Sequence, residues 1–272
     1  MIRLKEFFSF YINSSIHVSI SVCCLQAIMM IKYSSIINYD ILCFTFFSTL
    51  FAYNFIKYFE YIYENYSSIS IKLKLIICTS IFSLFFSLSF LFKLALNEVL
   101  LIALISIITL LYAVPFFLFS DTNLRSVRGL KIYVVALVWT MTVVLLPFEF
   151  YMELGLLFLI INFIQIFIYV LIAIVPFEIR DINIDNRRLS TIPQKIGIKN
   201  TKILGVILCL PFVLIELLKQ QYFNWYYLGF DFIIIALLMM FLIVSSKNPQ
   251  SKFYSSFWVE GVPILWIVIL LI

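Results

Sequence analysis

Leu154-Gly-Leu-Leu-Phe-Leu-Ile-Ile-Asn-Phe-Ile-Gln-Ile-Phe-Ile-Tyr-Val-Leu-Ile-Ala-Ile-Val-Pro-Phe177 runs directly into Glu178-Ile-Arg-Asp-Ile-Asn-Ile-Asp-Asn-Arg-Arg-Leu-Ser-Thr-Ile-Pro-Gln-Lys-Ile-Gly197. The first stretch holds 24 residues and no formal charge. A helix needs about 20 apolar residues to cross ~30 Å of hydrocarbon, so this stretch reads as a membrane span. The second stretch is crowded with charge and reads as a loop outside the hydrocarbon. The same alternation recurs along the whole chain, which predicts an all-α, polytopic membrane protein.

Composition agrees. The 272 residues are 64% hydrophobic and 12% charged, with a mean hydropathy of +1.11. Soluble domains run nearer about half apolar and a quarter charged. The excess has to face lipid. Long unbroken apolar runs suit helices, which satisfy their backbone groups internally, and not the alternating strands of a membrane barrel. A cleaved secretory signal is not the reading either, because apolar segments recur to the last residue. The five cysteines (Cys23, Cys24, Cys43, Cys78 and Cys209) form no CxxC pair and read as small apolar residues. His17, the sole histidine, reads as a contact between helices before a substrate contact.

Charged and turn residues divide the chain into about nine spans: 7–31, 37–59, 71–92, 98–119, 131–149, 154–177, 202–218, 226–246 and 254–272. They form one expected domain over residues 1–272. With a cytoplasmic N-terminus, 16 of the 19 Lys and Arg residues fall on the inner side. Only Lys32, Lys93 and Lys219 fall outside, as the positive-inside rule requires. An odd span count then places the C-terminus on the opposite face. The net charge of +5 reads as topology signal beside membrane lipids, with no nucleic-acid partner. Tyr222, Trp225, Tyr226 and Tyr227 read as an interfacial belt.

In the charged loop, a helix carried past residue 177 would put Glu178, Asp181 and Asp185 on one stripe. Three neighbouring carboxylates repel unless a cation lies between them, and magnesium suits hard oxygen ligands and a phosphate-bearing substrate. Arg180, Arg187, Arg188 and Lys195 are candidates for phosphate oxygens. A solvated loop of mixed charge fits the spacing equally well.

Arg180-Asp181-Ile182-x-x-Asp185-x-Arg187-Arg188, followed by Thr191 and Gly197, resembles the second motif of the UbiA-type intramembrane prenyltransferases, in its menaquinone-branch form. Leu111-Tyr112-Ala-Val-Pro115, with Arg125, Arg128 and Lys131 beyond it, resembles that family's loop after the fourth helix. The resemblance implies a bundle of nine helices with the N-terminus inside. It also implies transfer of an isoprenoid group from a prenyl diphosphate to a lipophilic acceptor. Asp181 and Asp185 would then be catalytic magnesium ligands, with Glu178 beside them, and Tyr112, Arg125, Arg128, Lys131, Arg180, Arg187 and Lys195 would bind substrate.

The first motif departs from the family pattern Asn-Asp-x-x-Asp-x-x-x-Asp. Its counterpart is Asn54-Phe-Ile-Lys-Tyr-Phe-Glu-Tyr-Ile62, so the acid positions hold Phe55, Tyr58 and Ile62. Asn54 matches. Glu60 lies two residues past the second acid position, about 200° around the helix. Lys57 is placed to put a point charge on a diphosphate where the family uses a metal ion, and Tyr58 lies at the motif's end. Glu178 stands where the pattern has an amide. These departures leave one magnesium site in place of two and keep three functions open: a transferase using Lys57, a non-catalytic isoprenoid- or quinone-binding or interaction protein of the same fold, and a transporter. Asp231, Glu216 and Glu260 read as acids near span ends on the outward half.

Overall fold

The computed structural model describes residues 2–33, 37–64, 69–114, 123–147, 155–186, 189–223 and 229–271. Helices succeed one another along the chain: α1 (Ile2–Asn13), α2 (Ile16–Tyr33), α3 (Tyr39–Glu64), α4 (Ile71–Leu91) and α5 (Leu96–Ala113). Then come α6 (Lys131–Thr140), α7 (Gly155–Asp181), α8 (Ile192–Phe223), α9 (Phe230–Ser245) and α10 (Val262–Leu271). α6 continues through a π-helical turn at Met141–Leu145, and a second π-helical turn, Tyr254–Val259, leads into α10. No strand occurs among the described residues.

Each of the nine expected spans overlaps a helix. Seven helical segments are long and apolar enough to cross a membrane, and Lys131–Leu145 and Phe230–Ser245 are shorter apolar helices. Two boundaries are corrected. The first span is broken between α1 and α2, where Ser15 adopts a φ of 62° and the Ser19 hydroxyl turns back to the Ser15 carbonyl. Asn and Ser compete for backbone groups in this way and interrupt helices. The seventh helix begins at Ile192, ten residues before the expected 202, and it contains a non-helical Gly197 with φ 78°. Trp225, Tyr226 and Tyr227 of the expected aromatic belt lie outside the described residues.

α2 is the axis of the bundle. It packs against α3, α10 and the π-turn after α6, while α7 packs against α6 and α8. In α2, 72% of the 18-residue window is buried, against 11% in α5. Large apolar side chains on α4 and α5, such as Phe85, Leu100 and Ile107, point outward. Such a face is stable only against lipid, where no hydrophobic force drives it inward. Between α7, α8 and α9 the packing is close: a Cβ on Gly205 would meet Ile243 at 3.0 Å and Val175 at 3.2 Å. Small residues of this kind let membrane helices approach.

One end of the bundle contains a sealed ionic network. Lys32 at the end of α2 bonds both oxygens of Asp231 at 2.8 and 2.9 Å, and the Trp266 indole donates to the same carboxylate at 2.7 Å. Lys219 pairs with Glu216 at 2.6 Å and donates to Asn162 at 2.9 Å, with the Tyr33 ring beneath it at 4.6 Å. The sequence reading placed Asp231 and Glu216 near an interface. They are instead 7% and 1% exposed, and Lys32 and Lys219 are 4% and 2% exposed. Two cations and two anions close the network with no net charge.

Removing one member leaves its partner charged and buried, which costs about 3–5 kcal/mol. Lys32→Met is therefore expected to lower stability by about that amount in denaturant unfolding of the detergent-solubilised protein. Lys32→Met combined with Asp231→Asn is expected to recover most of the loss.

Candidate functional site

The opposite end of the bundle is open. A cavity of about 430 Å³ lies there, within the size range of small-molecule sites. Its mouth is built from helix ends. Ile12 and Asn13 close α1, Lys57 and Tyr58 lie late in α3, Tyr112 ends α5 and Lys131 begins α6. Phe177, Glu178, Arg180 and Asp181 come from the last turns of α7, and Lys252, Ser256 and Glu260 from the approach to α10. The remaining wall is apolar and aromatic, with Tyr53, Trp139, Tyr169, Ala173 and Pro263.

Local sequence explains how the charged side chains are held. α7 ends at Asp181, whose carbonyl accepts from the amides of Ile184 and Asp185, both at 2.8 Å. The Asn248 side chain donates to the carbonyls of Ile179 and Arg180 at 3.0 and 3.1 Å, satisfying groups that a helix end leaves open. Gln194 donates to the Asp185 carbonyl at 2.9 Å, and the Gly129 amide to Leu189 at 3.0 Å. These bonds fasten Asp185 to α8 and Leu189 to the loop before α6.

The expected stripe of three acids on one continuous helix is corrected in one respect. Glu178 and Asp181 share the last turns of α7, but Asp185 lies in the turn beyond and reaches the same region through it. Side chains of this chain supply the cations between the acids. Arg180 holds Asp181 in a two-pronged pair, Nε to Oδ1 at 2.6 Å and Nη2 to Oδ2 at 2.8 Å. Lys131 bridges Asp185 at 2.8 Å and Glu178 at 3.4 Å. Among the described residues, no group of three or more His, Cys, Asp and Glu side chains is gathered as a metal site.

On the facing wall, Lys57 donates to the Ser15 hydroxyl at 2.9 Å and Tyr58 to the Asn13 carbonyl at 2.9 Å. The break between α1 and α2 thus anchors Lys57 and Tyr58 of α3. Lys252 donates to the Asn13 side chain at 3.3 Å. Farther in, the Trp139 indole donates to the Tyr53 hydroxyl at 2.7 Å.

The cavity gathers Lys57, Tyr58, Tyr112, Lys131, Glu178, Arg180 and Asp181 from the residues singled out in the sequence. Asp185 joins them through Lys131. Asn54 does not: it is buried on α3 and donates to Ser80 of α4 at 2.9 Å. Arg125, Arg128 and Lys195 are exposed and line no part of the cavity. Arg187 and Arg188 lie outside the described residues.

His17 is a contact between helices. Its Nε2 donates to the Phe257 carbonyl at 2.9 Å, which leaves Nδ1 to accept from the Tyr11 hydroxyl at 2.9 Å. Sequence reasoning missed Lys252, Ser256, Tyr53, Trp139 and Tyr169, and it misplaced Glu260. Glu260 was read as an interfacial acid of the outward half, yet it lines the same cavity as Lys57 and Arg180. A signal was present: it is a lone carboxylate seven residues into an apolar span.

No protein-family model and no curated protein matches the sequence. Among solved structures, the chain is similar to the apo structure of a UbiA homolog from Aeropyrum pernix K1. The TM-score is 0.65 at 13% identity, over 94% of this chain and 98% of that one. Nearly the whole of both chains shares one helical arrangement, and the chain therefore has the UbiA-type fold.

Proposed function

We propose that the chain is a UbiA-like membrane prenyltransferase, moving an isoprenoid group from a prenyl diphosphate to a lipophilic acceptor. One observation carries this reading: the cavity joins a charged mouth, with Lys57, Lys131, Arg180 and Lys252, to an apolar and aromatic interior. A prenyl diphosphate has the same division between a polyanionic head and a hydrocarbon tail. The proposed orientation puts the mouth and the N-terminus on the cytoplasmic side and the C-terminus on the other, in keeping with the loop charges.

Lys57 and Lys252 would meet the diphosphate as point charges, and Arg180 offers a planar fork of donors. When the C1–O bond breaks, the electron pair leaves with the diphosphate, and these cations stabilise the charge that accumulates there. The allylic carbon left behind is electron-poor. The faces of Tyr53, Tyr112 and Trp139, which all line the cavity, suit such a centre.

In this reading the chain would use one magnesium ion and not two, once Asp181 and Asp185 part from Arg180 and Lys131. Asp181 and Asp185 carry hard oxygen ligands, close enough for the Asp185 amide to bond the Asp181 carbonyl. They would hold the ion, which when bound supplies positive charge to the leaving diphosphate. α3 offers no such pair, because Lys57 and Tyr58 occupy its part of the wall and Glu60 points outside the cavity. A second reading, isoprenoid binding without turnover, is favoured by the pairing of Asp181 with Arg180 and of Asp185 with Lys131.

The test is transfer of radiolabel from prenyl diphosphates of several lengths to a panel of lipophilic acceptors, with magnesium, by the purified protein. Transfer by the wild type is expected, and Asp181→Ala is expected to abolish it. Lys57→Met is expected to raise the KM for the prenyl diphosphate by about 10- to 100-fold, the scale of a lost hydrogen bond to a charged group. Retained binding with no transfer to any acceptor would establish the second reading instead.

A further inference from the structure

Charge is unevenly balanced over the outer surface. Two exposed lysines each face an acid: Lys72 lies 3.6 Å from Glu6, and Lys93 lies 3.0 Å from Asp40. The mouth-side end of the α8–α9 hairpin differs. No Asp or Glu occurs from Lys195 to Ile215 or from Phe232 to Val259, and those two stretches hold five lysines. Lys252 lines the cavity, and Lys195 lies beyond the interruption of α8 at Gly197. The remaining three, Lys199, Lys202 and Lys247, lie at the surface, and none forms an ion pair with an acid among the described residues.

Helix packing brings these three together. Positions 199, 203, 207, 210 and 214 fall within about 80° of one another around an α-helix, so Lys199 heads a single stripe of α8. The rest of that stripe is exposed and apolar, with Ile203, Ile207, Leu210 and Leu214. The opposite face of α8 is the packed one, where Gly205 approaches Ile243 of α9 and Val175 of α7. α9 carries its own exposed apolar stripe, ending in Phe241 and Val244.

Lys202 stands at the seam between the two helices. Its Nζ donates at 2.8 Å to the Val244 carbonyl, one of those that the end of α9 leaves open. One of its three ammonium protons is used in this bond, and two are left for another acceptor. Lys247 follows the last residue of α9 by two positions. Its neighbour Asn248 bonds the carbonyls of Ile179 and Arg180, which sets Lys247 level with the end of α7.

Two apolar stripes that face away from the bundle therefore end at three cations without acids. A soluble anion would make no use of the stripes, and a neutral lipid would make none of the lysines. An anionic phospholipid matches both. We propose that the mouth-side end of the α8–α9 hairpin binds one, with its phosphate among Lys199, Lys202 and Lys247 and its acyl chains along Ile203, Ile207 and Phe241. Lysine meets phosphate as a mobile point charge, and basic clusters at a membrane face attract anionic headgroups. The site lies outside the cavity, and lipid binding there does not depend on the prenyl-transfer reading.

The test titrates the full-length, detergent-solubilised protein with phosphatidylglycerol or with phosphatidylcholine of the same acyl chains, and native mass spectrometry counts the bound lipids. The wild type is expected to bind phosphatidylglycerol more tightly. Lys199→Gln, Lys202→Gln and Lys247→Gln together are expected to weaken that binding roughly 100-fold, about fivefold for each lysine beside an anionic headgroup. Phosphatidylcholine binding should not change. Arg at the same three positions keeps the charge and is expected to keep the preference, which separates lost charge from lost fold. Lys5→Gln, Lys72→Gln and Lys74→Gln together remove as much charge from α1 and α4 and are expected to leave the preference intact. An equal loss in this control or in the Arg variant, or no loss in the first variant, overturns the site. A wild type without preference for phosphatidylglycerol overturns it too. So does displacement of phosphatidylglycerol by an equal concentration of inorganic phosphate, because the lysines would then hold a free anion without the acyl chains.

Discussion

In hydrocarbon, a charge survives only where the protein itself supplies a partner, and that constraint organises the whole bundle. Lys32, Asp231, Lys219 and Glu216 come from three helices and pair with one another, all four buried. At the other end the pairing is deliberate but partial. Arg180 and Lys131 compensate Asp181, Glu178 and Asp185, while Lys57 and Lys252 bond only neutral oxygens and the Glu260 carboxylate bonds nothing among the described residues. About 430 Å³ of space accompanies that incomplete accounting. One end closes on itself, and the other leaves charged side chains around open space.

The difference between the ends is expressed through backbone details. The sealed network needs only side-chain reach across close-packed helices. The open site depends on interruptions: the break at Ser14 and Ser15, the end of α7 at Asp181, and the π-helical turn before Glu260. Each interruption frees polar groups and re-aims side chains. Lys57 and Tyr58 reach the break between α1 and α2, which fixes a cation on α3 at the mouth. A cation fixed on α3 changes the electrostatics of the whole mouth, because under the proposed function it would meet a polyanion directly where carboxylates would need metal ions to do so.

Most of the architecture was legible because lipid imposes a strong and simple code. Long apolar runs, loop charges and the Asp181–Asp185 motif are local features. The failures were nonlocal. Nothing in sequence couples Lys32 to Asp231 across 199 positions, so both read as interfacial charges. Asn54 matched only the first letter of its motif, and its side chain bonds Ser80 and lines no part of the cavity. Glu260 was misread because its depth depends on where the last span starts and on a π-helical turn that hydropathy does not encode. Lys57 lines the cavity for a local reason, since it sits about one turn past Asn54, on the stretch of α3 that ends at the mouth.

The central claim is that the mouth between α3 and α7 receives a diphosphate and the aromatic interior receives its hydrocarbon. An experimental structure of the protein with magnesium and a hydrolysis-resistant prenyl thiolodiphosphate tests it most directly. The account predicts phosphate density among Lys57, Lys131, Arg180 and Lys252, with the prenyl chain running past Tyr53 and Trp139. Density for the analogue outside this cavity, with Arg180–Asp181 and Lys131–Asp185 undisturbed around an unfilled mouth, would contradict it.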